Sequence, residues 1–325
     1  MFHLVEPDLG RISGGLRYNW AVVDAADAQL QRHAITGGWP NPSEQGIAVL
    51  TDLLDSLNGP VLLDGLIGCS LPDPLAVHTP IVQLVHALAE TPEATRREQH
   101  NLQAADAVVA TSQFTADQLH KRHGIQAVVA APGVEERPMA VGDVGGSLIS
   151  VGAVEPNKNQ VFIAEVLEQL TARNITGWHC TFAGPLTDAD YAQQLQQTLA
   201  TLPAGTTTVA GELDATQLAA LYHHADLLLL PSQAETFGLV VREALAAGVP
   251  AFVTAGTGAE EALGGGEALR LDQNVWAEKL HQWLTDAHYR RHVKAVARTA
   301  RKHLSFGWHA TAEIILDVLR SVSAH

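Results

Sequence analysis

Short apolar runs alternate with segments of helical period along most of this 325-residue sequence, and this alternation limits the folds that it can adopt. The runs of strand length are VLLDG (61–65), AVVAT (107–111), AVVAAP (127–132), SLISVG (147–152), HCTFAG (179–184), DLLLLPS (226–232) and PAFVT (250–254). Near-continuous apolar runs of this length are typical of strands buried on both faces of a parallel sheet. The repeated order strand–helix–strand predicts a doubly wound α/β architecture.

The length of the chain fits two domains of about 150 residues each better than one core. The segment VEERPMAVGDVGG (134–146) replaces the apolar pattern with charged residues, proline and glycine. Such a change in composition is typical of a domain boundary. We therefore predict a first Rossmann-like domain over residues 1–140 and a second one that begins at residue 141.

Composition excludes several classes of function. The chain has 20 basic and 35 acidic residues, a net charge of −15, which disfavours nucleic-acid binding and docking on an anionic membrane. Cys69 and Cys180 form no CxxC pair, so neither a zinc ribbon nor a disulfide framework is expected. No apolar run approaches 18 residues and the start lacks the pattern of a signal peptide, so we expect a cytoplasmic protein without a membrane segment.

The segment PSQAETFGLVVREALAAGVP (231–250) follows one of the apolar runs and must turn the chain into a helix. In an open parallel sheet, this turn lies at the carboxyl end of the strand, where ligands bind. Gly238 permits a tight turn, and the N–H groups of about residues 238–241 are expected to lack helical partners. Those donors and the helix dipole suit a diphosphate.

Two glutamates flank this turn. Glu243 lies on the same helical face as Leu239, roughly 6 Å from the expected anion position, which is about the breadth of a ribose. Glu235 lies in the loop on the other side, where it can accept hydrogen bonds from sugar hydroxyls. An isolated pair with this spacing is more often a helix-start acid and a surface glutamate, but the preceding strand and Phe237-Gly238 favour the functional interpretation.

The same segment resembles the E-x7-E segment of retaining family-4 glycosyltransferases of the GT-B fold, in which two Rossmann-like domains face a cleft. Further segments are similar to one bacterial branch of that family and occur in the same order: ISGGLRYN, LLDGLIGCSLPD, LVHALAET, VGAVEPNKNQ and GELDATQLAALYHHADLLLLPS. Near the end, FGWHATAEIILDVL looks like the start of the helix that crosses back to the first domain. The resemblance implies an acceptor-side domain (1–140), a donor-side domain (141–304) and this helix (305–325).

The resemblance also implies roles for residues of the second domain. Glu243 matches the glutamate that holds the donor ribose, and Glu235 matches the glutamate that binds the donor sugar. The segment Phe237-Gly238-Leu239 matches the one whose amides meet the donor phosphates. Lys158 matches the lysine that neutralises the diphosphate leaving group.

In the first domain, Gly14-Gly15 matches the glycine pair that approaches the phosphate, and His86 matches the histidine near the reacting face of the sugar. One departure concerns Ala153, because many family members have arginine there, although similar Gly-Ala loops occur in the branch that this chain most resembles. Arg11 or Arg17, beside the glycine pair, could supply the missing charge.

We therefore expect a metal-independent, retaining glycosyltransferase that needs no cofactor and moves a hexose-type sugar from a UDP- or GDP-linked donor to an unidentified acceptor. The expected catalytic residues are Glu235, Lys158 and His86. Two alternatives stay open. One is a nucleotide-sugar-binding protein without transfer activity, which Ala153 motivates, and the other is a GT-B-fold epimerase of nucleotide sugars.

Other motifs have weaker functional interpretations. Asp188-Ala189-Asp190 resembles a DxD metal motif, but it begins a helical stretch, where aspartate is a capping residue. His223-His224 has no partner at metal-ligand spacing and is expected on a helix surface. Glu260 or Glu261 could serve the donor side, and Gly264-Gly265-Gly266 suggests a mobile loop.

Overall fold

The computed structural model describes residues 1–142 and 145–323. The chain divides into two compact units. Unit 1 contains Met1–Gly133 and the chain from Gly307 onward, and unit 2 contains Val134–Phe306. The first division lies seven residues before the expected boundary at 140/141 and the second lies two residues after the one at 304/305, and the expected bounds stay a prediction.

Unit 1 has the alternating order that the apolar runs suggested. Its strands are β1 (Phe2–Pro7), β2 (Leu30–Ile35), β3 (Val61–Asp64), β4 (Ile81–Val85), β5 (Ala107–Ala110) and β6 (Val128–Val129). Its helices are α1 (Gly14–Ala25), α2 (Glu44–Ser56), α3 (Gly65–Gly68), α4 (Pro92–Ala104), α5 (Gln113–His123) and α13 (His309–Val322). The strands form one parallel sheet in the order β2-β1-β3-β4-β5-β6.

The core of unit 1 covers both faces of this sheet. On one face, α1 and α13 pack on Leu4, Leu62 and Leu84, and on the other face α2 and α3 pack on Val5 and Leu63. Helix α13 is amphipathic and buries a stripe at helical spacing, namely Ala312, Ile315, Leu316 and Leu319. This stripe explains why the last helix of the chain belongs to the first unit.

Unit 2 repeats the architecture. Its strands are β7 (Ser147–Val151), β8 (His179–Ala183), β9 (Thr207–Gly211), β10 (Leu227–Leu230), β11 (Ala251–Thr254) and β12 (Gly266–Leu269). Its helices are α6 (Gln160–Ala172), α7 (Ala189–Leu199), α8 (Ala215–His224), α9 (Leu239–Ala246), α10 (Ala259–Ala262), α11 (Gln273–Thr285) and α12 (Ala287–Arg301). The parallel sheet has the order β12-β11-β10-β7-β8-β9.

Both sheets are parallel and flanked by helices on two faces, so the predicted doubly wound α/β fold is confirmed. In unit 2, β10 and β7 are neighbours, and the loops that follow them therefore meet at one edge of the sheet. The connections between β7 and α6 and between β10 and α9 carry the predicted donor residues. The fold thus brings two segments together that are far apart in sequence.

Gly264 and Gly265 lie in the short loop between α10 and β12, and the whole run 264–266 is closely packed. Gly266 is the first residue of β12, and a Cβ atom there would lie 1.8 Å from the carbonyl oxygen of Ala251. A Cβ atom on Gly265 would lie 2.6 Å from backbone atoms of Ala297. The glycines allow α12 and β11 to approach this strand closely.

None of the helices among the described residues combines the length and the apolar character that a membrane crossing requires.

Candidate active site

The turn between β10 and α9 is shaped by Gly238. This residue has φ +82°, a left-handed conformation that favours glycine, and it caps the N-terminus of α9 without any side-chain hydrogen bond. Among the described residues, the N–H groups of Gly238, Leu239 and Val240 have no hydrogen-bond partner, whereas the N–H of Val241 bonds to the carbonyl of Gly238 at 2.9 Å. Of the N–H groups at 238–241 that the sequence suggested would be open, the one at Val241 is therefore bonded. The others lie at the positive end of the helix.

Phe237 has a structural role at this turn. Its side chain is buried, and the guanidinium of Arg242 lies 5.9 Å from the centroid of its ring. Because the side chain is buried, any contribution of this residue to phosphate binding must come from its backbone amide, as the resemblance implies. Phe237 anchors the turn in the core and thereby orients the amides that follow.

Lys158 and Glu235 form an ion pair at the neighbouring carboxyl ends of β7 and β10. Lys158 Nζ lies 2.7 Å from Glu235 Oε2, and the side chains are 24% and 13% exposed. Lys158 ends a 3-10 turn over Pro156–Lys158, and the carbonyl of Glu235 accepts the N–H of Gly258 at 2.7 Å. The structure brings these two predicted residues together in a position that water and a ligand can reach.

Asn157 joins the loops that carry this pair, and sequence reasoning missed it. Its side-chain amide makes reciprocal bonds to the backbone of Ala234, accepting the N–H at 2.9 Å and donating to the carbonyl at 3.1 Å. Its own carbonyl accepts the N–H of Gln233 at 2.8 Å. Asn159 adds a bond to the carbonyl of Pro231 at 3.2 Å. The asparagines on both sides of the lysine in PNKN were the available signal, because short amide side chains bond readily to nearby backbone.

Glu243 lies on α9 with its carboxylate partly exposed, and two residues that sequence reasoning missed contact it. The hydroxyl of Tyr222 donates to Glu243 Oε2 at 2.9 Å. Arg137 Nη2 lies 3.8 Å from Glu243 Oε1, and its guanidinium lies 4.8 Å from the centroid of the Tyr222 ring. Both oxygens of the predicted ribose-binding carboxylate therefore have a partner of complementary charge or polarity.

In unit 1, Gly15 and His86 lie together at the carboxyl edge of the sheet. Helix α1 begins at Gly14 and is capped by Ser13, and a Cβ atom on Gly15 would lie 3.3 Å from the ring of His86. His86 Nε2 lies 2.9 Å from Asn19 Oδ1 and 3.6 Å from Asp64 Oδ2. The two predicted sites in this unit, the glycine pair and the histidine, thus form one local structure.

Asn19 is the centre of a buried polar network around that histidine. Its amide donates to Glu6 Oε2 at 3.1 Å and to Asp64 Oδ2 at 2.8 Å, so its oxygen is the group that accepts from His86. His86 Nε2 consequently carries a proton. Burial lowers the pKa of His86 below its ordinary value, against the opposing effect of the Asp64 carboxylate.

Glu6 extends this network. Burial raises the pKa of Glu6 above its ordinary value, and hydrogen bonds from Trp20 and Asn19 and the charge of Arg32 oppose the increase. Trp20 Nε1 donates to Glu6 Oε1 at 2.9 Å. Sequence reasoning missed Glu6, Asn19 and Asp64, although Glu6 and Asp64 are acids near the ends of strands, a position that favours ligand sites in parallel sheets.

The other candidates have ordinary structural explanations. Asp188 caps α7 by accepting the N–H of Tyr191 at 2.9 Å, which confirms the capping interpretation. Arg11 and Arg17 have exposed side chains, and the carbonyl of Ala153 accepts a bond from Gln160 at 2.8 Å. The described parts of the chain contain no group of three or more His, Cys, Asp or Glu side chains that could hold a metal ion. The independence from metal stays a prediction.

Comparison with known proteins shows which proteins this chain is similar to. Residues 146–301 match the family model described as glycosyl transferases group 1. The chain is a glycosyltransferase. It is 27% identical over 301 residues to the D-inositol 3-phosphate glycosyltransferase of Paenarthrobacter aurescens, an alignment that covers 82% of this chain and 72% of that protein. It is 35% identical over 185 residues to the glycogen synthase of Mycobacterium tuberculosis, covering 53% of this chain and 43% of that protein.

Solved structures show that the glycosyltransferase has the two-domain GT-B fold. The sucrose-phosphate synthase of Thermosynechococcus elongatus superposes with a TM-score of 0.78 at 18% identity, and the match covers 99% of both chains. HepE of Anabaena, solved in complex with UDP and glucose, superposes with a TM-score of 0.75 at 16% identity and covers 98% of this chain and 99% of that one. At these identities the likeness concerns the fold alone.

Proposed function

We propose that this glycosyltransferase transfers a hexose-type sugar from a nucleoside-diphosphate sugar to an acceptor, with retention of the anomeric configuration and without a metal ion. The observation that carries the proposal is the arrangement at one edge of the unit 2 sheet. The Lys158–Glu235 pair lies before the open amides of Leu239 and Val240, and Glu243 follows on the same helix.

The donor would bind through complementary chemistry at each of these points. In the proposal, the diphosphate accepts hydrogen bonds from the amides of Gly238 and Leu239 at the positive end of α9. Glu243 accepts hydrogen bonds from the ribose hydroxyls, and Glu235 accepts them from the donor sugar. The side chains of Glu235 and Glu243 are partly exposed, and so is Leu239, whereas Gly238 is buried.

Lys158 would supply the charge that the reaction needs. Cleavage of the glycosyl–phosphate bond develops negative charge on the departing diphosphate, and a cation aimed there stabilises the transition state more than the ground state. Glu235 Oε2 lies 2.7 Å from Lys158 Nζ and neutralises its charge. An incoming diphosphate carries more negative charge than one carboxylate, so Lys158 exchanges partners and Glu235 becomes available to sugar hydroxyls.

The proposed chemistry assigns the remaining predicted residues to unit 1. We propose that His86 contacts the sugar near its reacting face and that Gly14-Gly15 allows close approach of the phosphate. Retention follows if the acceptor attacks from the leaving-group side and a departing phosphate oxygen takes its proton, so that no carboxylate nucleophile is needed.

The comparisons support a nucleotide sugar as donor and leave the acceptor open. One structural neighbour was solved with UDP and glucose, and the same protein was also solved with UDP-glucose. The relatives named D-inositol 3-phosphate glycosyltransferase and glycogen synthase act, by their names, on different acceptors. We therefore propose a UDP- or GDP-linked donor and assign no acceptor. A cytoplasmic location likewise stays a prediction.

The proposal is tested first by binding and then by turnover. In a thermal-shift screen of UDP, GDP and their hexose conjugates, the compound that binds should raise the melting temperature of the protein. A ligand at about 100 times its Kd stabilises the folded state by roughly 2.7 kcal/mol. The conjugate that binds is then incubated in the presence of EDTA, with and without candidate acceptors, and followed by NMR.

The outcomes separate the proposal from its alternatives. Slow release of free hexose or transfer to an acceptor supports the proposal, provided that the product first formed has the same anomeric configuration as the donor. A rearranged nucleotide sugar would identify an epimerase, and binding without any turnover would identify a binding protein. If none of these compounds stabilises the protein, the proposed function is wrong.

A further inference from the structure

Two residues outside the predicted donor site contact Glu243 and fix its position. Tyr222 lies near the end of α8 and is fully buried, so its hydroxyl has few orientations available. It donates to Glu243 Oε2 at 2.9 Å, and the carbonyl of Val240 lies farther away at 3.3 Å. The buried hydroxyl of Tyr222 therefore holds Oε2 of the carboxylate in one position.

Arg137 approaches from the segment 134–142, whose composition suggested only a domain boundary. Its guanidinium lies over the ring of Tyr222, and its Nη2 lies 3.8 Å from Glu243 Oε1. This distance exceeds a hydrogen bond but is close enough for attraction between the charges. Oε1 can thus accept a hydroxyl hydrogen without breaking an existing hydrogen bond from Arg137.

The position of Arg137 is itself fixed by Arg301. The carbonyl of Arg137 accepts a bond from Arg301 Nη2 at 2.8 Å, and Arg301 Nε donates to the carbonyl of Ala246 at 2.7 Å. Ala246 is the last residue of α9. The segment that carries Arg137 is therefore tied to the same helix that carries Glu243.

We infer that Tyr222 and Arg137 are positioning residues that orient the Glu243 carboxylate to accept a ribose hydroxyl, so that they set the preference of the enzyme for ribonucleotides over 2′-deoxyribonucleotides. The inference rests on the proposed function, which assigns the ribose to Glu243. Tyr222 fixes Oε2, Arg137 holds the charge of Oε1 in place, and Oε1 keeps acceptor capacity for a hydroxyl. A carboxylate that rotated freely would lose part of this selectivity through the entropy of ordering it.

The chain contains a matched control cluster within the same unit. Glu267 accepts the hydroxyl of Tyr289 at 2.8 Å and lies 3.1 Å from Lys279, whose ammonium lies 5.2 Å from the centroid of the Tyr289 ring. The carboxylate lies in β12, the tyrosine in α12 and the stacked cation in α11, and none of the three is a predicted donor residue. Tyr289→Phe removes the same chemical group as Tyr222→Phe.

The experiment measures binding of UDP and 2′-deoxy-UDP, and of GDP and 2′-deoxy-GDP, by calorimetry on the full chain. The wild-type protein should prefer the ribose form of its nucleotide, by about tenfold or more. Tyr222→Phe should reduce this preference about threefold to tenfold, mainly by weakening the ribose form, whereas Tyr289→Phe should keep it. Arg137→Met provides a second variant that leaves the tyrosine intact, with Lys279→Met as its control, and should also reduce the preference.

Two results would overturn the inference in distinguishable ways. If Tyr222→Phe and Arg137→Met both bind with the full ribose preference, the positioning role is wrong and the proposed function is untouched. If the wild-type protein binds none of the four nucleotides, the proposed function fails and the inference fails with it. Circular dichroism on each variant checks that it is folded before binding is compared.

Discussion

The carboxyl edges of the two sheets hold polar residues in opposite ways. In unit 1, Glu6, Asn19 and Asp64 are at most 3% exposed and bond to one another. In unit 2, the side chains of Lys158, Glu235 and Glu243 are 13–24% exposed, and each contacts a partner that a ligand could replace or share. Equivalent positions in one type of fold thus support two different tasks.

The difference in burial determines whether each set of polar residues contributes to stability or stays available to a ligand. A buried network without open partners is costly to disturb, because each orphaned polar group loses its solvation without compensation. A partly exposed ion pair contributes little to stability and exchanges partners readily. We therefore expect substitutions in this partly exposed set of unit 2 to change kinetics, and substitutions of Glu6, Asn19 or Asp64 in unit 1 to change stability and its dependence on pH.

Lys158→Ala should give the largest effect. Loss of one preorganised donor to the developing charge costs about 2.7–4 kcal/mol of barrier, which corresponds to a decrease in kcat of about a hundredfold to a thousandfold. The measurement is steady-state transfer or donor hydrolysis, with Lys279→Ala as the control, because Lys279 pairs with Glu267 elsewhere in unit 2. A variant with the turnover of the wild-type protein would remove Lys158 from the catalytic assignment.

Asn19→Ala should lower the stability of unit 1. The change leaves the buried groups of Glu6, Asp64 and His86 without the bonds that Asn19 makes, at about 1–3 kcal/mol for each group that stays unsatisfied. Urea unfolding should show a lower midpoint for this variant, whereas Lys158→Ala should leave the midpoint nearly unchanged. Equal midpoints for Asn19→Ala and the wild-type protein would contradict the distinction between the two edges.

Glu243→Ala should raise the KM for the donor with a smaller change in kcat. Hydrogen bonds to charged groups contribute about 1.5–3 kcal/mol, so the KM should rise roughly tenfold to a hundredfold. Glu267→Ala serves as the control, because Glu267 also pairs with a tyrosine and a cation. A kcat effect without any change in KM would mean that Glu243 acts on the reaction and not on ribose binding.

Glu6→Gln should give the smallest effect, which appears as a dependence on pH. The pKa of Glu6 is raised in the folded protein, so its contribution to stability is fully present below its ordinary value of 4.5 and is lost as the pH rises through the folded pKa. The glutamine variant lacks this loss. The difference in melting temperature, variant minus wild type, should therefore increase from pH 4 to pH 7, and a constant difference would show that the Glu6 charge carries no such cost.

Part of the fold was predictable because the interior of a parallel sheet leaves a clear pattern. The apolar runs correspond to β3, β5, β6, β7, β8, β10 and β11. They do not mark β2, β9 and β12, which lie at sheet edges and consist mostly of residues that are not buried. They also miss β1 and β4, interior strands that carry Glu6 and Gln83 among apolar residues. A buried strand that contains a polar residue lacks the continuous apolar run by which the other strands were recognised.

Without the resemblance, the geometry of the candidate site was predictable only where one continuous segment determines it. Glu235, Gly238 and Glu243 lie on a single strand–turn–helix unit, and their order in sequence gives their order in space. The contacts of Tyr222 and Arg137 with Glu243 depend instead on how α8 and the segment 134–142 pack on α9. No local pattern encodes such packing, so these residues could not be assigned from the sequence.

The reciprocal bonds of Asn157 to Ala234 have a consequence for protein engineering. Because these bonds join the loop after β7 to the loop after β10, neither loop can be exchanged with that of a relative as an independent cassette. In a chimera that imports residues 231–235 alone, the new backbone would have to form these bonds with the Asn157 side chain of a loop from a different protein. Grafts intended to change donor choice should therefore carry both loops together.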